Sequence, residues 1–247
     1  MLTRLRQAHL VLPTLAALAG LAVLISLGTW QLQRKQWKEG LLSKIAARVH
    51  AEPVPLQRAV SIFGRGEDVE YMHVIARGRF LHDKERYLYA PTPGAQAWHV
   101  YTPLDTSGQI VWVNRGLVLD ANKAPASRQA GQVQGETEVR GLLRLPPATG
   151  LFTPENDVQR NLWYWPDLAA MTASAFPSGS LTALPFAIDS DAEPAPPGGL
   201  PKGGTTRINL PNRHLAYALT WYGLAATLIG VYLAFAAARL RGVSLPR

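Results

Sequence analysis

Two long stretches without a charged side chain, one near each end, restrict the possible architectures more than any other feature of the chain. Residues 10–30 form an uncharged run of 21 residues and residues 215–238 one of 24, the second bounded by Arg213 and Arg239. Wound at ~1.5 Å per residue, the shorter run is about 31 Å long, enough to cross the ~30 Å hydrocarbon core of a bilayer. Arg4 and Arg6 precede the first run in the manner of a signal peptide. The run is long for that, and GTWQLQRKQW follows it without a small-x-small cleavage site, so the expectation is an uncleaved anchor. Trp30, Trp37, Trp221, Tyr222 and Tyr232 suit interfacial belts or helix contacts. Small residues recur every fourth position at Ala226, Gly230, Ala234 and Ala238, and at Ala16 and Gly20. Such stripes fit either close helix packing or ordinary alanine-rich membrane sequence.

The net charge of +8 sits unevenly. Residues 50–212 hold 14 Lys/Arg against 16 Asp/Glu, while the other 11 basic residues, opposed by Glu39 alone, flank the apolar runs. Basic character placed this way addresses lipid headgroups; a nucleic-acid partner would need its basic patch on the folded body. No cysteine is present, which removes disulfides, thiol catalysis and cysteine metal sites. Two crossings put both termini on one side of the membrane and the middle on the other. Counting flanking Lys and Arg literally would place the middle in the cytoplasm, but long loops translocate largely regardless of charge.

The expected layout is a tail at 1–9, a first span at 10–30 and an amphipathic helical extension at 31–52. A β-rich domain at 53–190, a Pro/Gly connector at 191–212, a second span at 213–238 and a tail at 239–247 follow. In the extension, Trp30, Trp37, Leu41, Ile45 and Val49 fall at near-helical spacing, and Pro53 and Pro55 end it. Beyond them lie short β-like runs at 71–80, 86–89, 98–104, 110–114, 138–145 and 185–189, several separated by the turn signals HDKE, DTSG and NRG. The fold class expected is membrane α+β: two transmembrane helices at the chain ends flanking an antiparallel β-rich extramembrane domain, its sheet closed or half-closed. One helix start is legible within it, where Trp165-Pro166-Asp167 leads into LAAMTA with Pro in the first turn. Gly78 and Gly116, each after an arginine, are expected to be structural through a positive φ or a close backbone approach.

The chemistry-bearing residues are sparse. His9, His50, His73, His82, His99 and His214 form no H-E-x-x-H or H-x-H, and there is no G-x-S-x-G, phosphate-binding loop or G-x-G-x-x-G. Without a convergent nucleophile, base or metal set, the expectation is a protein that is not an enzyme. His82-Asp83 reads as a turn, and His73 and His99 as strand side chains. His214 stands apart because it opens the second apolar run in NRHLAYALTWYG. On a helix, Tyr217, Ala218, Trp221 and Ala225 share its face. An imidazole above such a face can ligate a metalloporphyrin iron, or anchor the helix at the interface; spacing leaves both open. The Trp221 indole N–H, about 10 Å deeper, needs a partner across a helix or in a cofactor. A second candidate is the loop around Arg160, Trp163, Tyr164 and Trp165, whose aromatics are either partner-facing anchors or a plug for one end of the β domain.

Taken together, several blocks resemble the Surfeit-locus protein one family, assembly factors for haem-copper cytochrome oxidases. They are LGTWQLQRKQWKEGLL at 27–42, RGRF at 77–80, VNRG at 113–116, FTPENDVQRNLWYWPDLAAM at 152–171 and PGGLPKGGTTRINLPNRHLAYALTWYG at 197–223. They run in the family's order over nearly the whole chain; Leu119 departs from it, since the family usually has proline close behind NRG. The resemblance implies a role in maturing the oxidase's catalytic subunit, haem a as cofactor with His214 as its ligand, and haem a synthase as a further partner. It also implies a middle domain on the periplasmic or intermembrane-space side. Without an Arg/Ser-rich presequence before the first run, the expected location is a bacterial inner membrane. Two roles compete: a haem chaperone that presents haem a to the subunit, and a cofactor-free scaffold that stabilises it.

Overall fold

The computed structural model describes residues 10–179, 181–206 and 212–241. The expected tails at 1–9 and 242–247, with Arg4, Arg6 and His9, and the connector segment 207–211, with Arg207, lie outside the described residues. The chain divides into two compact units: residues 1–44 with 209–247, and residues 45–208.

The first unit is built on two helices, α1 (Val11–Val49), which runs on into the second unit, and a C-terminal helix (His214–Arg241). Both are long and apolar enough to cross a membrane. Their pairing is polar at intervals, as expected where lipid supplies no hydrophobic drive between helices. Thr14 Oγ1 meets the Tyr232 hydroxyl at 2.5 Å, and Thr29 Oγ1 meets the Tyr222 hydroxyl at 3.1 Å. Gly28 is buried, and a Cβ there would strike the Tyr222 ring. The seam does not use the stripe at Ala226, Gly230, Ala234 and Ala238, all of which are exposed. The buried positions of the second helix are instead Ala218 and Ala225.

The second unit is a β-barrel. After β1 (Val54–Pro55) and α2 (Leu56–Gly64) come β2 (His73–Phe80), β3 (Arg86–Tyr89), β4 (Ala97–Asp105) and β5 (Gln109–Leu119). Then follow β6 (Glu136–Arg144), β7 (Leu162–Trp163), α3 (Leu168–Ala175) and β8 (Thr182–Ser190); the C-terminal helix is α4. The sheet order is β1-β2-β6-β8-β5-β4-β3-β7, and β2 also pairs with β4 through Arg79–Asp105 and Phe80–Leu104. That extra pairing closes β2, β6, β8, β5 and β4 into a ring, which removes the open edges a flat sheet would expose. The long pairings are antiparallel except β5 with β8, which are parallel, as are the short β1–β2 and β3–β7 contacts.

Strand alternation sorts the side chains. Val74, Ala76, Leu104, Val111, Val113, Val139, Leu184, Phe186 and Ile188 belong to one core, joined by Leu56 and Ala59 from α2. Phe63 of α2 meets Phe186 edge-on at 5.6 Å. The alternate residues of β4, β5 and β8 form a second core, where Leu168, Met171 and Ala175 of α3 cover Tyr101, Trp112 and Ala187. Trp112 Nε1 donates to Thr172 Oγ1 at 2.9 Å, so the indole is buried without losing its hydrogen bond. Asp167 caps α3 by accepting from the Ala170 N–H, so the helix starts one residue after the cap and Pro166 lies before it, outside the first turn.

Candidate functional site

His214 is the first residue of α4. It is half-buried, and its Nδ1 lies 2.7 Å from Oε1 of Gln31 on α1. An amide oxygen only accepts, so Nδ1 is the donor in this bond, and in the neutral ring Nε2 is then the nitrogen with the lone pair. Two turns further on, Trp221 is partly exposed, and among the described residues its indole N–H has no hydrogen-bond partner. Tyr217 is 55% exposed. The three residues named from sequence therefore share the first part of α4, but only His214 is tied to α1 by a hydrogen bond. Gln31, Gly28 and Tyr222 were not singled out as site residues. Gln31 sits in the LGTWQLQ block, yet nothing in helical spacing tells which residue of one helix faces a given residue of the other. Among the described residues there is no group of three or more His, Cys, Asp or Glu side chains that would hold a metal ion.

In the β domain, the loop around Arg160 requires a correction. Trp163 is wholly buried in the second core, with Nε1 donating to Asn161 Oδ1 at 2.8 Å, which removes it as an exposed anchor. Tyr164 is 41% exposed, its ring edge-on to Tyr89 at 6.3 Å, and Trp165 is half-buried. Arg160 is exposed and lies 3.6 Å from Asp157. What remains of the patch is Arg160, Tyr164 and one side of Trp165.

The VNRG block leads to a charge cluster that the sequence did not reveal. Glu85, 4% exposed, is held between both Nη atoms of buried Arg128 and is 3.5 Å from Arg115 Nη1. The Tyr87 hydroxyl donates to the same carboxylate at 3.1 Å, and His82 Nδ1 lies 3.8 Å away while its Nε2 meets the Val133 carbonyl at 2.8 Å. Burial pushes the Glu85 carboxyl up, but the hydrogen bonds from Arg128, the charges of Arg128 and Arg115 and the neighbouring His82 ring outweigh it and hold the group at about 2. Arg115 also bonds the Gly131 carbonyl and stacks on Phe80 at 4.9 Å. The members hold one another, so the cluster ties turns to strands.

One continuous match to known sequences takes in the barrel and part of each helix. The model of the SURF1 family matches residues 18–226. A SURF1-like protein of Monosiga brevicollis is 36% identical over 224 residues, covering 85% of this chain and 82% of the relative. Surfeit locus protein 1 of Mus musculus is 40% identical over 222 residues, and that of Homo sapiens 38% over 218; they cover 83% and 81% of this chain and 69% of each relative. These relatives are eukaryotic, and they do not bear out the bacterial origin expected from the sequence. With a match that spans most of α1, the whole barrel and the start of α4, the chain belongs to the SURF1 family.

Proposed function

We propose that the chain is a membrane-anchored assembly factor for a haem-copper cytochrome oxidase, and that its helix pair receives haem a for the catalytic subunit. The reading rests above all on the His214–Gln31 bond, which leaves Nε2 of a half-buried imidazole as a ligand atom at the head of an apolar helix. The residues fit a metalloporphyrin: His214 would hold the iron, Trp221 would offer an indole donor with no partner among the described residues, and Tyr217 an exposed aromatic surface. Haem a itself brings the redox-active iron; the protein's part is to ligate, orient and release it, and no catalytic step is assigned to the chain. The barrel, with Arg160 and Tyr164 on its surface, would meet the oxidase subunit, and haem a synthase would be the donor. In this reading the barrel lies on the periplasmic or intermembrane-space side.

The test is to co-produce haem a with the full chain and compare wild type with His214→Ala and Trp221→Ala. Wild type should purify with haem, His214→Ala should lose most of it while the barrel stays folded, and Trp221→Ala should weaken retention about tenfold, the worth of ~1–2 kcal/mol. Equal occupancy and spectrum in His214→Ala would remove the ligand assignment. A wild type that never carries haem would leave the scaffold role as the account.

A further inference from the structure

Resting on the haem reading above, we propose that Gln31 is the positioning residue of the site: it fixes His214 in the Nδ1–H tautomer and thereby reserves Nε2 for iron. The two side chains come from different helices of one compact unit, and the 2.7 Å separation is at the short end of the N–H···O range. A neutral imidazole has a single N–H, so whichever nitrogen donates, the other becomes the ligand. Without an acceptor at Nδ1 the ring is free to rotate and to carry its proton on Nε2, where it would block the metal. With one, ring orientation and tautomer are set before haem arrives, and the imidazole becomes a stronger donor to iron, as acceptors behind metal-bound histidines make it.

The pairing also couples the site to the helix seam. Three residues before Gln31, Gly28 is packed under Tyr222, and Thr29 bonds the same tyrosine. The register that seats Tyr222 on Gly28 is the one in which Gln31 reaches His214. A separation of the helices would release the acceptor and weaken the ligand at once, so haem release to a partner needs no titration of the histidine.

The experiment uses the full-length chain in detergent micelles. Ring 15N shifts of His214 without haem should show the Nδ1–H tautomer in wild type and a mixture or the Nε2–H form in Gln31→Leu. Ferric haem titrated into Gln31→Leu should bind 10–100-fold more weakly, the usual cost of losing such an acceptor. Gln31→Glu, close in size and a stronger acceptor, should raise ferric over ferrous affinity about tenfold, which lowers the midpoint potential by about 59 mV for a one-electron couple. A residue that only held the helices together would not move the potential in that direction. An Nε2–H tautomer in wild type, or haem bound on His214 with unchanged affinity and potential in both variants, overturns the assignment of Gln31 alone. Haem bound equally by His214→Ala removes the ligand assignment, and this proposal with it, while leaving the haem-receiving role of the helix pair in place.

Discussion

At Gly116 the backbone holds φ at +116°, and a Cβ there would collide with the Lys202 carbonyl, which accepts from the Leu117 N–H. The first fact penalises any side chain and the second leaves it no room. Gly78 has ordinary φ but sits where β2 meets β4, with the Asp105 carbonyl in the place of a Cβ. Alanine at Gly116 should therefore destabilise the barrel by roughly 2 kcal/mol or more, read as a lower melting temperature and lower abundance before any change in haem content. Normal stability with failed oxidase maturation would show that the glycine serves a binding surface. The two arginine-glycine pairs could be picked from the sequence as structural, but their causes could not. One arises from the connector folding back on β5 and the other from ring closure, both contacts between segments distant along the chain.

Between elements, the Glu85 cluster joins the start of β3, Arg115 in β5 and the turn that carries Arg128. Because its carboxyl is held at about 2 against an ordinary 4.5, the cluster's contribution is complete above pH 4.5 and is lost as pH falls from 4.5 towards 2. It amounts to something on the order of 3 kcal/mol. Thermal unfolding of the full-length protein should show that loss in wild type. In Glu85→Gln the same interval should be flatter, starting from a lower stability at pH 7 because Arg128 is left buried against a neutral amide. An identical acid profile in both would rule the cluster out as the source. Elements themselves were largely readable: the β-like runs over β2, β4, β6 and β8 and the start of a helix after Trp165-Pro166-Asp167 are local signals, although the start is made by the Asp167 cap and not by proline in the first turn. The two-residue strands β1 and β7, the parallel β5–β8 pairing and the seam of α1 with α4 were not, since each depends on which surfaces meet. The small-residue stripe on α4 left packing and plain membrane sequence both open for the same reason: periodicity shows that a face exists and not what lies against it. Trp163 taught the converse, that an aromatic in a polar loop can be core when a helix such as α3 covers it.

For the whole molecule, two membrane-length helices with the barrel between them imply a simple outcome for reporter fusions. A reporter at Gly199 should behave as facing away from the cytoplasm or matrix, and one after Arg241 as facing it; the reverse pattern in both would overturn the orientation proposed here. This much was legible because apolar length is a property of single segments, whereas the flanking charges left the side undetermined. The closed ring has a further consequence for a chain made from one end. β8 is the last strand to leave the ribosome, yet it lies between β6 and β5, so until residue 190 has been made both of those strands have a bare edge. The first membrane helix is by then long since synthesised, and an unfinished sheet is tethered beside a crowded membrane surface. A nascent chain in that condition is exposed to strand-pairing with its neighbours, and any stop codon upstream of β8 turns that passing hazard into a permanent one.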